Sequence, residues 1–240
     1  ITLPMPWQGF ELSQDVFTAR LDTTGYLGLV WYSFKLERLD GRHQELGPYQ
    51  LTVYDGSERV PSWIGEGMTY QIFPDRFRRS RIPNPEGLVG GRTVHQGWEE
   101  FPEYRPDAQG EVRNRDFFGG DFQGVLEKLD YLRGLGVETL YFNPIFEAAE
   151  NHRYGTADYS QVDPMLGGNE DFSQLCREAH KRGMRVILDG VFNHTGFVSR
   201  YFNGNGFYPE VGASQSEDSP YRPWFNFTQW PRKYESWWGI

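Results

Sequence analysis

Val186-Ile187-Leu188-Asp189-Gly190-Val191-Phe192-Asn193-His194 is the stretch whose reading decides the fold. Three apolar residues in a row, with no polar alternation, suit a parallel strand covered on both faces by helices. A carboxylate follows at once, with an amide and an imidazole four and five residues further on. Upstream, Phe172, Leu175, Cys176 and Ala179 form an i, i+3, i+4, i+7 stripe, which predicts a helix. Asn169 is its expected cap, Glu170 and Asp171 lie in its first turn, and Lys181-Arg182-Gly183 closes it. Cys176 on that stripe reads as core packing.

The same grammar continues toward the amino terminus. Thr139-Leu140-Tyr141-Phe142 reads as a buried strand stopped by Asn143-Pro144. Before it, Asp121 caps an expected helix with Phe122, Val125, Leu126, Leu129 and Leu132 on one face, ended by Gly134 or Gly136. Met68 to Phe73 is the first strand of the series. Strand, helix, strand, helix, strand implies right-handed crossovers and a parallel sheet. In barrels built this way, function collects at the carboxyl ends of the strands, which singles out Asn143 and the run Asp189 to His194. Between Asp75 and Gly120 lies a polar stretch rich in Pro, Gly and Arg, too long for an idle loop, so a functional or ion-stabilised excursion is expected.

Residues 1–62 have a different character. Val16–Leu21, Tyr26–Leu36 and Tyr49–Tyr54 are expected strands, with Asp40-Gly41 as a hairpin turn and Asp55–Ser62 as a polar linker. Few strands make a poor sheet alone, so this region reads as the later part of an antiparallel sandwich. Ile1 is not Met, and Trp237-Trp238-Gly239-Ile240 carries no stop signal, so both ends read as cut.

Composition excludes several classes of function. The 240 residues carry 24 Lys+Arg against 33 Asp+Glu, a net charge of −9, which disfavours a nucleic acid or an anionic membrane surface as partner. No run approaches the roughly 18 apolar residues of a membrane span. One cysteine rules out an internal disulfide and a cysteine-rich zinc site. No signal peptide is visible, and the compartment stays open with the cytoplasm preferred. Aromatic residues reach 17%, which suits either β-rich core packing or rings that stack on sugars.

Two segments carry candidate chemistry. Asp189 either serves a site or pairs with a neighbouring arginine or backbone amides. In Asn151-His152-Arg153-Tyr154-Gly155-Thr156-Ala157-Asp158-Tyr159, Tyr154 is either a sugar-stacking platform or, like Tyr159, an aromatic that anchors the loop. No second His or Cys stands at transition-metal spacing beside His194.

Asp189 to His194 resembles the first signature region of the α-amylase family of glycoside hydrolases. Tyr70 to Phe77, Gly119-Gly120-Asp121-Phe122, Leu140 to Phe146 and His152 to Tyr159 resemble their counterparts in the same order. The resemblance runs from about Tyr49 to Ile240 and is nearest to the neopullulanase and cyclomaltodextrinase branch. It implies an α/β fold: a partial (β/α)8 TIM barrel over 63–194, holding its first three strands. Part of a β-sandwich over 1–62 precedes it, and the start of an aromatic-rich loop domain follows over 195–240. It further implies a retaining α-glucan hydrolase, working with two carboxyl groups about 5–5.5 Å apart. By the same resemblance Tyr154 stacks on the glucose at the cleavage position, His194 hydrogen-bonds that sugar, and Asp189 orients an arginine on the fourth strand. Asn193 matches a calcium ligand of many α-amylases, but in this branch it holds the loop instead.

The departures matter as much. The nucleophile and acid of the family follow the fourth and fifth strands, so no catalytic carboxylate is expected in this chain, which alone should be inactive. Gly155 stands where the family often has Asp or Asn, which weakens the expectation of an ordered loop there. Gly119 and Asp121 match half of a calcium site, but Arg78-Arg79-Ser80-Arg81-Ile82-Pro83-Asn84 is basic where acidic ligands are expected, so Ca2+ is an option and no cofactor is required. The expected partner is an α-glucan oligosaccharide or polysaccharide, and a homodimer through the sandwich is an option. Pullulan, cyclodextrin, starch and maltooligosaccharides are not separated by this sequence. A non-catalytic α-glucan-binding module with the same fold is the competing reading.

Overall fold

A computed structural model describes residues 1–38, 40–57 and 60–237. Leu39 beside the expected Asp40-Gly41 turn, Glu58 and Arg59 of the expected linker, and 238–240 of the expected loop domain lie outside the described residues. The chain forms two compact units, Ile1–Ile64 and Gly65–Ile240.

The first unit consists of two antiparallel hairpins. β1 (Trp7–Glu11) pairs with β2 (Gln14–Phe17), and β3 (Gly28–Glu37) pairs with β4 (His43–Val53). In the longer hairpin Val30 faces Leu51 and Tyr32 faces Tyr49, and the rings of Tyr32, Phe34 and Tyr49 meet at 5.5–5.8 Å. Gly41 at φ +79° supplies the left-handed residue of the turn.

The second unit is built on three parallel strands, β5 (Met68–Ile72), and, further along the chain, two more. Between them come the two-residue strands β6 (Thr93–Val94) and β7 (Asp116–Phe117), which pair in parallel, then α1 (Phe122–Leu126) and α2 (Leu129–Gly134). β8 (Val137–Phe142) is the central strand, followed by the hairpin β9 (Phe146–Ala148) and β10 (Thr156–Val162). α3 (Gly168–Lys181) leads to β11 (Arg185–Leu188), and β12 (Phe227–Gln229) and β13 (Lys233–Tyr234) close the described chain. The sheet order is β11-β8-β5, with Ile72, Phe142 and Leu188 level at the carboxyl ends.

Leu140 and Phe142 alternate with Tyr141 along β8, so they turn to the helices while Tyr141 turns to the opposite face. With Phe122, Val125, Leu129, Leu132 and Leu175 they form the main core, in which Phe122 meets Phe142 edge-on at 5.8 Å. Only this middle strand is well buried. Val186 and Ile187 are half-buried and Leu188 is exposed, although their apolar run predicted cover on both faces. The reason is topological: β11 and β5 are the edges of the sheet, with no further strand beside them among the described residues.

Two helix expectations need correction. The single helix expected after Asp121 is two short helices, because the Lys128 N–H reaches back only three residues to the Val125 carbonyl and tightens the turn. Its cap stands, since Asp121 Oδ1 accepts from Gly124 N at 2.6 Å. The cap of α3 lies two residues before the expected one: Gly167, at φ +107°, is the N-cap, and Asn169 instead accepts from Val162 N at 2.7 Å.

Candidate functional site

The long excursion after β5 is ordered by side chains bonding to backbone. Asp75, fully buried, accepts from Phe118 N and Gly119 N, each at 3.0 Å. Arg79 donates to the carbonyls of His95 and Gln96 at 2.8 and 2.9 Å. These bonds fold the excursion back so that 111–115 form one wall of a cleft of about 1690 Å³. Tyr154, Tyr159, Phe192, His194, Tyr201 and Trp237 contribute to the rest of its lining.

Asp189 stands where β11 ends, its backbone N–H bonded to the Phe142 carbonyl at 3.0 Å. Tyr154 and Tyr141 both donate to its Oδ2, at 2.7 and 2.9 Å. Burial, and then the bond to Asp189, push the Tyr154 phenol up to about 12, so it remains a donor at neutral pH. Tyr141 shifts in the same direction for the same reasons. Beside β8, Gln71 donates to Asn143 Oδ1 at 2.7 Å, which fixes the neighbouring strand end.

The backbone of Tyr154 is set by its neighbours. His152 Nδ1 accepts the Tyr154 N–H at 3.1 Å, which leaves the ring proton on Nε2. Burial, and then the charge of Arg153, lower the His152 pKa, so the ring stays neutral. Arg153 itself is fully buried at φ +62° and donates from Nε to Asp163 Oδ2 at 2.9 Å. Arg92 bonds the other oxygen of Asp163 at 2.8 Å, so a carboxylate between two guanidiniums anchors the loop that carries Tyr154.

Tyr159 has a different task. Its hydroxyl donates to the carbonyls of Val191 and His194, the latter at 2.7 Å, and its ring stacks on Tyr201 at 5.7 Å. It thereby pins the loop that presents His194, whose ring stacks on Trp237 at 5.4 Å and 24°. Asn193 is exposed and approaches only the His194 ring nitrogen, at 3.4 Å. Thus Asp189, Tyr154 and His194 line or border one cleft, and Tyr141, His152 and Trp237 join them without having been singled out in the sequence.

Gly119 and Asp121 lie elsewhere, at the start of α1. Oδ1 of Asp121 caps the helix, and Oδ2 accepts from Ser80 N and Oγ at 3.2 and 2.7 Å. A carboxylate whose oxygens both face N–H and O–H donors does not fit a calcium shell of six to eight oxygens. Among the described residues no group of three or more His, Cys, Asp or Glu is placed to hold a metal ion.

A glycine explains the departure noted at position 155. A Cβ there would lie 2.5 Å from Glu150 Oε2, so the carboxyl of Glu150 occupies the space that a side chain at 155 would need.

The model of the α-amylase catalytic domain matches residues 71–237. The chain belongs to the α-amylase family. An amylopullulanase from Thermoanaerobacterium saccharolyticum is 42% identical over 208 residues, covering 80% of this chain and 16% of that protein. Neopullulanase 2 from Thermoactinomyces vulgaris is 38% identical over 188 residues, covering 77% and 28%. The solved type III pullulan hydrolase from Thermococcus kodakarensis shares 32% identity at a TM-score of 0.58, covering 99% of this chain and 42% of its own. The chain spans only 11–17% of the length of the first curated relatives it matches. Within the α-amylase family, the cleft just described falls wholly inside the matched segment.

Proposed function

We propose that this chain is the glucan-holding portion of a retaining α-glucan hydrolase of the neopullulanase and cyclomaltodextrinase type. In this reading β5, β8 and β11 are the first three strands of a (β/α)8 barrel, 1–62 belong to a β-sandwich, and 195–240 begin the loop domain after the third strand. The observation that carries the proposal is the convergence of the Tyr154 and Tyr141 hydroxyls on one oxygen of Asp189, beside His194, at the carboxyl ends of parallel strands.

The geometry supports a division of labour. Tyr154 offers its ring as a platform for the apolar face of a glucosyl unit, while its hydroxyl holds Asp189. Asp189 keeps Oδ1 for an arginine supplied from outside this chain, and His194 bonds hydroxyls of the same sugar. The nucleophile and the proton donor lie outside this chain, so the 240 residues position substrate and break no bond. No step requires a metal ion from the residues present.

The test uses both the complete protein and the 240-residue chain on pullulan, cyclodextrin and soluble starch. The complete protein is expected to cleave at least one of them and to release the α-anomer first by proton NMR; the chain alone is expected to release no reducing sugar. First release of the β-anomer, or turnover by the chain alone, would overturn the corresponding part of the proposal.

A further inference from the structure

Glu150 lines the cleft together with His152, Tyr154, Gly155, Arg113 and Arg115. Its carboxyl lies directly over the backbone of Gly155, and its Oε2 is closed off from solvent without a hydrogen bond. A carboxylate oxygen left in that condition is costly, because it has lost water and gained nothing in return. Burial raises the pKa of this carboxyl, opposed by its own backbone N–H and by the charges of Arg115 and Arg92. The position is nevertheless firmly made. The Arg153 N–H closes a turn onto the Glu150 carbonyl at 3.1 Å, and Asn151 N bonds the Asn114 carbonyl at 2.7 Å. Gly155 provides the space, since any Cβ would collide with the carboxyl.

A side chain held in the lining of a cleft, with one oxygen unsatisfied and Arg115 lining the same cleft, has the chemistry that recognises neighbouring hydroxyls. The carboxylate accepts an O–H, and a guanidinium donates to the next oxygen. The terminal carboxyl torsion is soft, so either oxygen can turn to an incoming donor.

We propose that Glu150, seated over Gly155, is a further saccharide-binding residue that accepts a hydroxyl of the glucosyl unit held by Tyr154 or of its immediate neighbour. The proposal rests on the glucan-holding reading above. It assigns Gly155 a purpose: the acidic group at this point of the cleft comes from position 150, and a bare position 155 lets it sit there, since a Cβ would force the carboxyl to turn aside.

The experiment titrates the complete protein with thio-linked maltotriose, which resists hydrolysis, and records thermal unfolding of every variant in parallel. Wild type is expected to bind, and Tyr154→Ala to weaken binding at least tenfold. Glu150→Ala is expected to weaken it about tenfold, the range of one charge-assisted hydrogen bond. Glu150→Gln, which keeps the shape, is expected to give a smaller loss, and Gly155→Ala a loss comparable to Glu150→Ala. The double variant Glu150→Ala/Gly155→Asp returns a carboxyl to the same spot and is expected to regain part of the affinity. Absence of binding by wild type would overturn the glucan-holding reading and this inference together. Binding by wild type that is sensitive to Tyr154→Ala but unchanged in Glu150→Gln and Glu150→Ala would overturn the inference alone, whether or not their unfolding temperatures fall.

Discussion

Replacing Asp163 by asparagine removes one negative charge from between two guanidiniums and changes almost nothing in shape. The side chains of Asp163, Arg92 and Arg153 are 0%, 0% and 1% exposed, so water cannot stand in for the lost charge. With the amide oxygen at the Oδ1 position, the 2.9 Å bond from Met165 N and the bond from Arg92 survive without charge assistance, but the NH2 that replaces Oδ2 is a donor and cannot accept from Arg153, so that bond is lost. Removing one partner of such a buried pair costs about 3–5 kcal/mol, because the remaining charges stay buried and uncompensated. Arg153 immediately precedes Tyr154, so affinity for a maltooligosaccharide should fall with stability.

The pH dependence supplies an independent check. Burial alone would raise the Asp163 pKa, but the charges of Arg153 and Arg92 outweigh it and hold the carboxyl below its ordinary value. A depressed pKa contributes stability that is present above the unfolded value, near 3.9, and is lost as pH falls through the folded one. Wild type should therefore lose stability on acidification through that window more steeply than Asp163→Asn. Calorimetry or circular dichroism on the complete protein measures both quantities. A loss under about 1 kcal/mol, with parallel acid profiles, would refute the claim that this triad anchors the loop.

Three further outcomes follow from the same structure. Tyr154→Phe keeps the ring but removes a hydroxyl bond to Asp189, and under the proposed function should cost about 1.5–3 kcal/mol in kcat/KM of the complete protein, with KM measured separately to show whether binding carries the loss. Asp121→Ala removes the cap of α1 and the partner of Ser80, and should lower stability by about 0.5–2 kcal/mol in a denaturant titration, with added calcium giving no rescue. For His95, burial lowers the pKa, but hydrogen bonds to Glu100 and Asp116, and their charges, outweigh it and raise it. The stability it contributes is therefore present below the unfolded value near 6.5 and lost as pH rises through the folded one. Unfolding midpoints between pH 6 and 9 should show this slope in wild type and a flatter one in His95→Gln.

What was legible in the sequence is what short-range physics determines. The β8 region shows itself as a dense apolar run, and Asp121 lies at the head of a hydrophobic stripe with its oxygen at capping distance. The parallel order β11-β8-β5 follows from the alternation of strand and helix, and it brings Asp189 beside Asn143 at one end of the sheet. Tyr141 was within reach too: on a strand where Leu140 and Phe142 face the helices, its period of two sends it to the other face, toward Asp189. Asn169 misled because a side-chain oxygen suited to capping was taken by Val162 N, while two glycines opened the helix earlier. The strands β6 and β7 are two residues each and pair across more than twenty residues of sequence, so no local pattern announces them.

The least legible part is the wall of the cleft, and the reason is physical. Glu150 and Gly155 are individually unremarkable: an acidic residue in a loop is ordinarily solvated, and a glycine there ordinarily marks a flexible turn. Only the fold brings the carboxyl over the missing Cβ, and only then does the absence of a side chain at 155 become room for the carboxyl instead of a loss. The same holds for Arg92 and Arg153, 61 residues apart, which have no reason to be buried until Asp163 lies between them. Charges that the sequence presents as surface decoration are here the fasteners that fix where Tyr154 stands. That is why the loop, and not the strands, should be the part of this unit most sensitive to conservative substitution.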